Sequence, residues 1–173
     1  MTAHFQKCEV PKMSCDPVDI KAKAPFPAGA LSNFAPHAFA LDGIACGSME
    51  GFLQSLKIQD SAEQARVCRL SGAEAQSRGR QEDWNSGTLW WQGKPVDRLS
   101  DAYQKLLDRA YDALFAQAPK FRNALAATGE APLTHRMGKS DPCETILTEQ
   151  EFCTRLERLR AHFGDRSSTR SRG

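Results

Sequence analysis

The sequence predicts an α+β fold, mainly α, with one small antiparallel sheet in its N-terminal half. Three observations carry this. Capping-box patterns, Ser or Thr followed three residues later by Glu or Gln, begin at Ser61, Ser71 and Thr148. One broad apolar face runs through the stretch from Asp101 to Gln117. Asp42-Gly43 separates two short apolar runs, the pattern of a tight hairpin whose turn needs positive φ.

The elements follow in order. Residues 1–25 carry prolines and little periodicity and are expected to be an extended lead-in. The hairpin pairs Ala38-Phe39-Ala40-Leu41 with Ile44-Ala45-Cys46. Ser48 opens the first helix, where Met49, Phe52, Leu53 and Leu56 form an apolar stripe. The next two capping boxes predict helices near residues 62–69 and 73–80. From Gln81 to Ser100 the chain is aromatic and turn-rich, with Trp84, Trp90 and Trp91 around Gly87 and Gly93, and no element is assigned. In the helix from Asp101, Tyr103, Leu106, Leu107, Ala110, Tyr111, Leu114 and Phe115 face the core. Pro119 suits the first turn of another helix, which Thr128-Gly129 ends. After Thr148, Phe152, Leu156, Leu159 and Phe163 trace the last apolar stripe. The domain therefore spans 26–163. The tail 164–173, with Arg166, Arg170 and Arg172 among Ser, Thr and Gly, is expected to be disordered. It reads as a solvated end or as a basic contact for nucleic acid or an acidic partner.

At 173 residues, 40% hydrophobic and 25% charged, the chain fits one domain with a real core. No apolar run reaches the roughly 18 residues of a spanning helix, and Met1 to Pro17 lacks the apolar stretch of a secretory signal. A cytoplasmic protein without a membrane partner is expected. Six cysteines (Cys8, Cys15, Cys46, Cys68, Cys143, Cys153) and four histidines are scattered without zinc-ligand spacing, so no metal or other cofactor is expected. The thiols read as free, with a Cys8–Cys15 disulfide as the alternative. A net charge of +2 does not by itself imply a polyanion-binding surface. No P-loop, Rossmann glycine fingerprint or Ser/Cys triad context is present.

Beside the first helix's apolar stripe, Glu50, Gln54 and Lys57 recur at i, i+4 and i+7 and share one face. A carboxylate, an amide and an ammonium in one row suit a hydroxyl-rich, partly anionic ligand. The same row also reads as an ordinary solvated stripe, with Glu50 stabilising the helix start. Asn33, between the apolar anchors Leu31 and Phe34, offers donors and an acceptor to a ligand, or closes an Asx turn on its own backbone.

The Leu31-Ser32-Asn33-Phe34 loop, the Asp-Gly hairpin and the Ser48-x-Glu50-x-x-x-Gln54-x-x-Lys57 helix resemble the start of the NADAR (YbiA-like) N-glycosidase family. The likeness extends from about Phe26 to Arg160. It implies a single YbiA-like domain and a metal-independent hydrolase that cleaves an N-glycosidic bond of a ribosylated base. Two substrate classes are implied: ADP-ribose attached to a nucleobase such as guanine in DNA, and a ribosylamino-pyrimidine phosphate of riboflavin synthesis. The partner is then a small-molecule nucleotide or an ADP-ribosylated nucleic acid.

The resemblance also implies roles. Glu50 would stabilise positive charge at the anomeric carbon or activate water. Trp84 falls on the family's pocket tryptophan after the Gly79-Arg80 helix end, or else anchors the core. Asp141 lies near the family's catalytic Asp, or else starts an Asp-Pro turn; Glu144 is the fallback acid. Asn33, Phe34, Gln54, Lys57 and Arg80 would hold the sugar and phosphates; Arg78 and Arg80 are both candidates for bidentate contact, Arg80 the better through the Gly79-Arg80 match, or else both are cations near a helix C-terminus. Trp90 and Trp91 look inserted and are expected to pack. The family's Trp-Gly-x-Gly signature is missing after Leu133, and His135 replaces its usual carboxylate. Histidine exchanges protons near neutral pH, so His135 is a candidate to protonate the leaving base, or a loop residue bonded to backbone. Two other classes remain: a non-catalytic ADP-ribose or nucleotide-binding module, and a protein-interaction domain.

Overall fold

The computed structural model describes residues 16–168. Most of the expected lead-in, the Cys8–Cys15 pairing and the tail beyond Ser168 lie outside them. The start of the tail is corrected, because the last helix continues past Gly164 as far as Ser168.

Seven helices and three two-stranded sheets are present among the described residues. β1 (Val18–Asp19) pairs in parallel with β6 (Leu133–Thr134), joining two stretches far apart in the sequence. A one-turn helix, α1 (Ala28–Leu31), leads to the loop at Asn33. The expected hairpin follows as β2 (Phe39–Leu41) and β3 (Ile44–Cys46). Its turn has φ of 50° at Asp42 and 81° at Gly43, the two consecutive left-handed residues of a type I′ turn.

Helix α2 (Met49–Ser55) begins where Ser48 Oγ accepts from Gly51 N at 3.0 Å. α3 (Ser61–Cys68) is capped one residue earlier than its capping box implies: Asp60, not Ser61, accepts from Glu63 N at 2.8 Å. α4 (Gly72–Gly79) follows. The stretch left unassigned between Gln81 and Ser100 contains a second hairpin, β4 (Thr88–Trp91) and β5 (Lys94–Asp97). Trp91 packs as expected, edge-on to Phe52 with ring centroids 5.3 Å apart.

α5 (Asp101–Gln117) buries its apolar face through the middle of the molecule, between α2 on one side and α7 (Glu149–Ser168) on the other. α6 (Pro119–Ala127) starts at its proline. α7 opens with a reciprocal capping box: Glu151 N donates to Thr148 Oγ1 at 3.1 Å, and Thr148 N donates to Glu151 Oε2 at 2.7 Å.

Glu151 also receives both guanidinium nitrogens of Arg98, at 2.9 and 2.7 Å, in a fork-to-carboxylate pair. Arg98 is only 2% exposed, and its Nε donates to Thr145 O at 2.9 Å. Tyr103, fully buried, donates its hydroxyl to Ile146 O. These bonds hold the otherwise irregular strap between β6 and α7 against the body of the domain.

Candidate functional site

That strap, the Asn33 loop, α2 and the end of α4 enclose a cavity of about 590 Å³, within the usual size range for small-molecule sites. Eight candidate site residues read from the sequence line it together: Asn33, Phe34, Glu50, Gln54, Lys57, Arg80, His135 and Glu144. They converge for local reasons. Glu50 N donates to Asn33 O at 2.9 Å, which fastens the loop to the first turn of α2. Asn33 Oδ1 accepts from Tyr111 of α5 at 2.9 Å, so its amide is held by tertiary contact rather than by an Asx turn.

Glu50 is 7% exposed and its carboxylate accepts from Gln54 Nε2 at 2.8 Å. Burial raises the Glu50 pKa above the ordinary glutamate range; the Gln54 bond and the positive charges of Lys57 and Arg80 oppose that rise. Lys57 shows the converse: burial lowers its pKa, while Glu50 works to keep it charged. Its Nζ donates to Gly79 O at 3.3 Å. The solvated-stripe alternative therefore does not hold for this row of α2.

Gly79 permits this arrangement. A Cβ at that position would stand 1.9 Å from Gln54 Oε1 and 2.8 Å from Gln54 Cβ, so α4 can approach α2 only without a side chain there. Arg80 follows at the end of the helix, exposed, with Nη2 donating to Gln76 Oε1 at 3.0 Å. Arg78 turns away and pairs with Glu63 and Glu82.

Trp84 and Asp141 do not join this group. Trp84 is half-buried against the core and lines a separate cavity of about 250 Å³ with Leu99, Pro142 and Cys143. The strap divides the two spaces: Pro142 and Cys143 face the smaller, Glu144 to Leu147 the larger. Asp141 is exposed, and its Oδ1 accepts from Cys143 N at 2.8 Å, the turn-forming role named as its alternative. Glu144 does reach the larger cavity, where it pairs with Lys139 at 3.4 Å.

His135 lines the larger cavity too, and its Nδ1 is bonded to Ile20 O at 2.6 Å. Gln76, Lys139 and Thr145 are lining residues the sequence did not single out. Gln76 carried a usable signal, standing one helical turn before Arg80; the strap residues carried none. Among the described residues, no group of three or more His, Cys, Asp or Glu is placed to hold a metal. No helix among them is long and apolar enough to cross a membrane.

The family model described as bacteriophage protein GP30.3 matches residues 25–161. The chain belongs to this bacteriophage GP30.3 family. It is 40% identical over 146 residues to the uncharacterized 17.1 kDa protein of the Gp30–rIII intergenic region of Enterobacteria phage T4, covering 83% of this chain and 96% of that protein. It also resembles the NMR structure of the E. coli protein YbiA, with a TM-score of 0.58 at 19% identity over 90% of this chain and 92% of YbiA. The chain thus has a YbiA-like α+β fold, mainly α, in one domain, and the YbiA-like resemblance read from its sequence holds.

Proposed function

We propose that the protein hydrolyses the N-glycosidic bond of a ribosylated base, with Glu50 as the reacting carboxylate. One observation carries this reading: a buried glutamate with a raised pKa faces a cavity of ligand size, braced by Gln54 and flanked by Lys57 and Arg80. As the C1′–N bond lengthens, positive charge develops on the sugar, and a fixed carboxylate in a low-dielectric wall stabilises it. The same carboxylate, made more basic by burial, takes the proton of the attacking water. Lys57 and Arg80 carry charge suited to phosphates, and the amides of Asn33 and Gln54 suit ribose hydroxyls. The substrate classes are ADP-ribosyl-guanine, as in reversal of nucleic-acid ADP-ribosylation, and a riboflavin-pathway ribosylamino-pyrimidine phosphate. Trp84 and Asp141 have no part in the proposed step.

A second reading, a non-catalytic ADP-ribose or nucleotide-binding module, draws support from the position of Asp141, which leaves Glu50 without it as a second carboxylate in the cavity. The deciding experiment incubates wild type and Glu50→Gln with an ADP-ribosylated-guanine oligonucleotide and with ribosylamino-pyrimidine phosphate, measuring base release by chromatography. Hydrolysis requires release by wild type and a loss of about 100-fold or more in the variant. Tight binding of ADP-ribose without release from either compound favours the binding module.

A further inference from the structure

A glycosidic bond to a base breaks most easily when the departing nitrogen receives a proton, and Glu50, as the group that takes a proton from water, cannot supply it in the same step. The other proton carriers lining the cavity are Lys57, Arg80, His135, Lys139 and Glu144. Lys57 donates to Gly79 O, and giving up its proton would remove the positive charge that opposes the rise of the Glu50 pKa. Arginine does not give up its proton in proteins. Lys139 and Glu144 pair with one another, 60% and 61% exposed, at the solvent side. His135 remains.

His135 is built in rather than draped over the surface. It follows β6, whose pairing with β1 brings Ile20 O to 2.6 Å from Nδ1. Its ring stands edge-on to Phe152, with centroids 5.3 Å apart at 83°. Its backbone N donates to Glu149 Oε1 at 3.0 Å. A Cβ on Gly138 would stand 2.7 Å from its Cδ2, so the loop closes tightly over the ring. With Nδ1–H committed to Ile20 O, Nε2 is the free nitrogen of the ring among the described residues, and a proton carried there can be passed on.

We propose that His135 is a catalytic residue, the general acid that protonates the leaving base from Nε2 as water attacks the sugar. This rests on the N-glycosidase reading above. The C1′–N bond breaks with its electron pair going to the base nitrogen, which takes the proton from Nε2. The water oxygen bonds C1′ and its proton goes to Glu50. Return of that proton from Glu50 to His135 through solvent restores the starting state, so the sum is base–ribosyl plus water giving free base and free sugar.

The test uses the full chain and His135→Asn, whose short amide keeps a donor for Ile20 O. Single-turnover release of guanine base from an ADP-ribosylated-guanine oligonucleotide is expected to slow by about 100-fold or more, while the Kd for ADP-ribose, which lacks the departing guanine, stays within about threefold. An unchanged rate in His135→Asn beside an inactive Glu50→Gln overturns the role of His135 and leaves the N-glycosidase reading standing. Loss of ADP-ribose binding together with the rate makes His135 a structural group and also overturns it. Failure of the wild type to release base from this oligonucleotide or from ribosylamino-pyrimidine phosphate removes the N-glycosidase reading, and the assignment falls with it. Nitrogen-15 NMR of the histidine rings in the wild type, which avoids any folding defect, is expected to show Nε2 of His135 moving on saturation with guanosine. An unmoved Nε2 overturns the proposal.

Discussion

Replacing Gly79 with alanine tests how the protein assembles its cavity. The added Cβ would fall 1.9 Å from Gln54 Oε1, 2.7 Å from Cδ and 2.8 Å from Cβ. Rotating the end of the Gln54 side chain clears the first two contacts but not the third, which lies at the root of the side chain. Gln54 is 8% exposed on a helix buried from Met49 to Ser55, so α4 has to move away from α2. Overpacking of this kind costs about 1–3 kcal/mol. In a domain of this size that lowers Tm by roughly 2–4 °C for each kcal/mol. Turning the Gln54 amide aside to clear the first two contacts also breaks its 2.8 Å bond to Glu50, which adds to the cost. Thermal and urea unfolding of Gly79→Ala are compared with Ser77→Ala, an exposed position on the same helix. Adding Gln54→Gly, which takes away the Cβ as well, is expected to relieve the clash, making the double variant more stable than the sum of the two single effects by about 0.5 kcal/mol or more. A Gly79→Ala protein with the Tm of wild type, or strict additivity in the double variant, refutes this account of the α2–α4 contact.

Glu50→Gln is expected to stabilise the protein once pH exceeds the raised Glu50 pKa and, on the proposed hydrolase reading, to remove turnover. The folded-state pKa of Glu50 is raised, so its favourable contribution is complete below the ordinary value of 4.5 and is lost as pH rises through the raised value. Above that raised value the wild type carries a buried charge that the amide lacks. The variant should gain about 1 kcal/mol there, and the gap should close below pH 4.5, as read by urea unfolding across pH. By the same shift, the acid limb of wild-type activity should lie above the range of an exposed glutamate, which a pH–rate profile checks. Arg98→Met strands the Glu151 carboxylate and frees Thr145 O, and is expected to cost about 3 kcal/mol or more in urea unfolding. Hydrogen exchange should then rise first at the strap residues 144–147, which Arg98 and Tyr103 pin in the wild type.

Much of the fold was legible because its signals are local. The turn at Asp42-Gly43, the caps at Ser48 and Thr148, Pro119 and the stripe of α5 each act within a few residues of chain, and the structure has them where the sequence puts them. The second hairpin was not legible, because its turn residue Gln92, at φ 51°, is a weak turn former by itself. It is held from elsewhere: Gln92 N donates to Gln64 Oε1 at 2.8 Å and Gln92 Nε2 to Asp42 O at 3.0 Å. The parallel pairing of β1 with β6 spans most of the chain and leaves no periodic trace in two-residue strands.

The same division runs through the candidate site. Helical periodicity alone put Glu50, Gln54 and Lys57 on one face, since residues three and four apart share a side of the helix. Whether that face met water or a cavity depended on groups far along the chain: Tyr111 fixing Asn33, Gly79 admitting Gln54, and Arg98 with Tyr103 drawing the strap across. Long-range packing also separated Trp84 and Asp141 from Glu50 and brought His135 in their stead. Spacing along one helix is set by backbone hydrogen bonds, whereas the wall opposite it is set by which distant side chains fill the remaining volume.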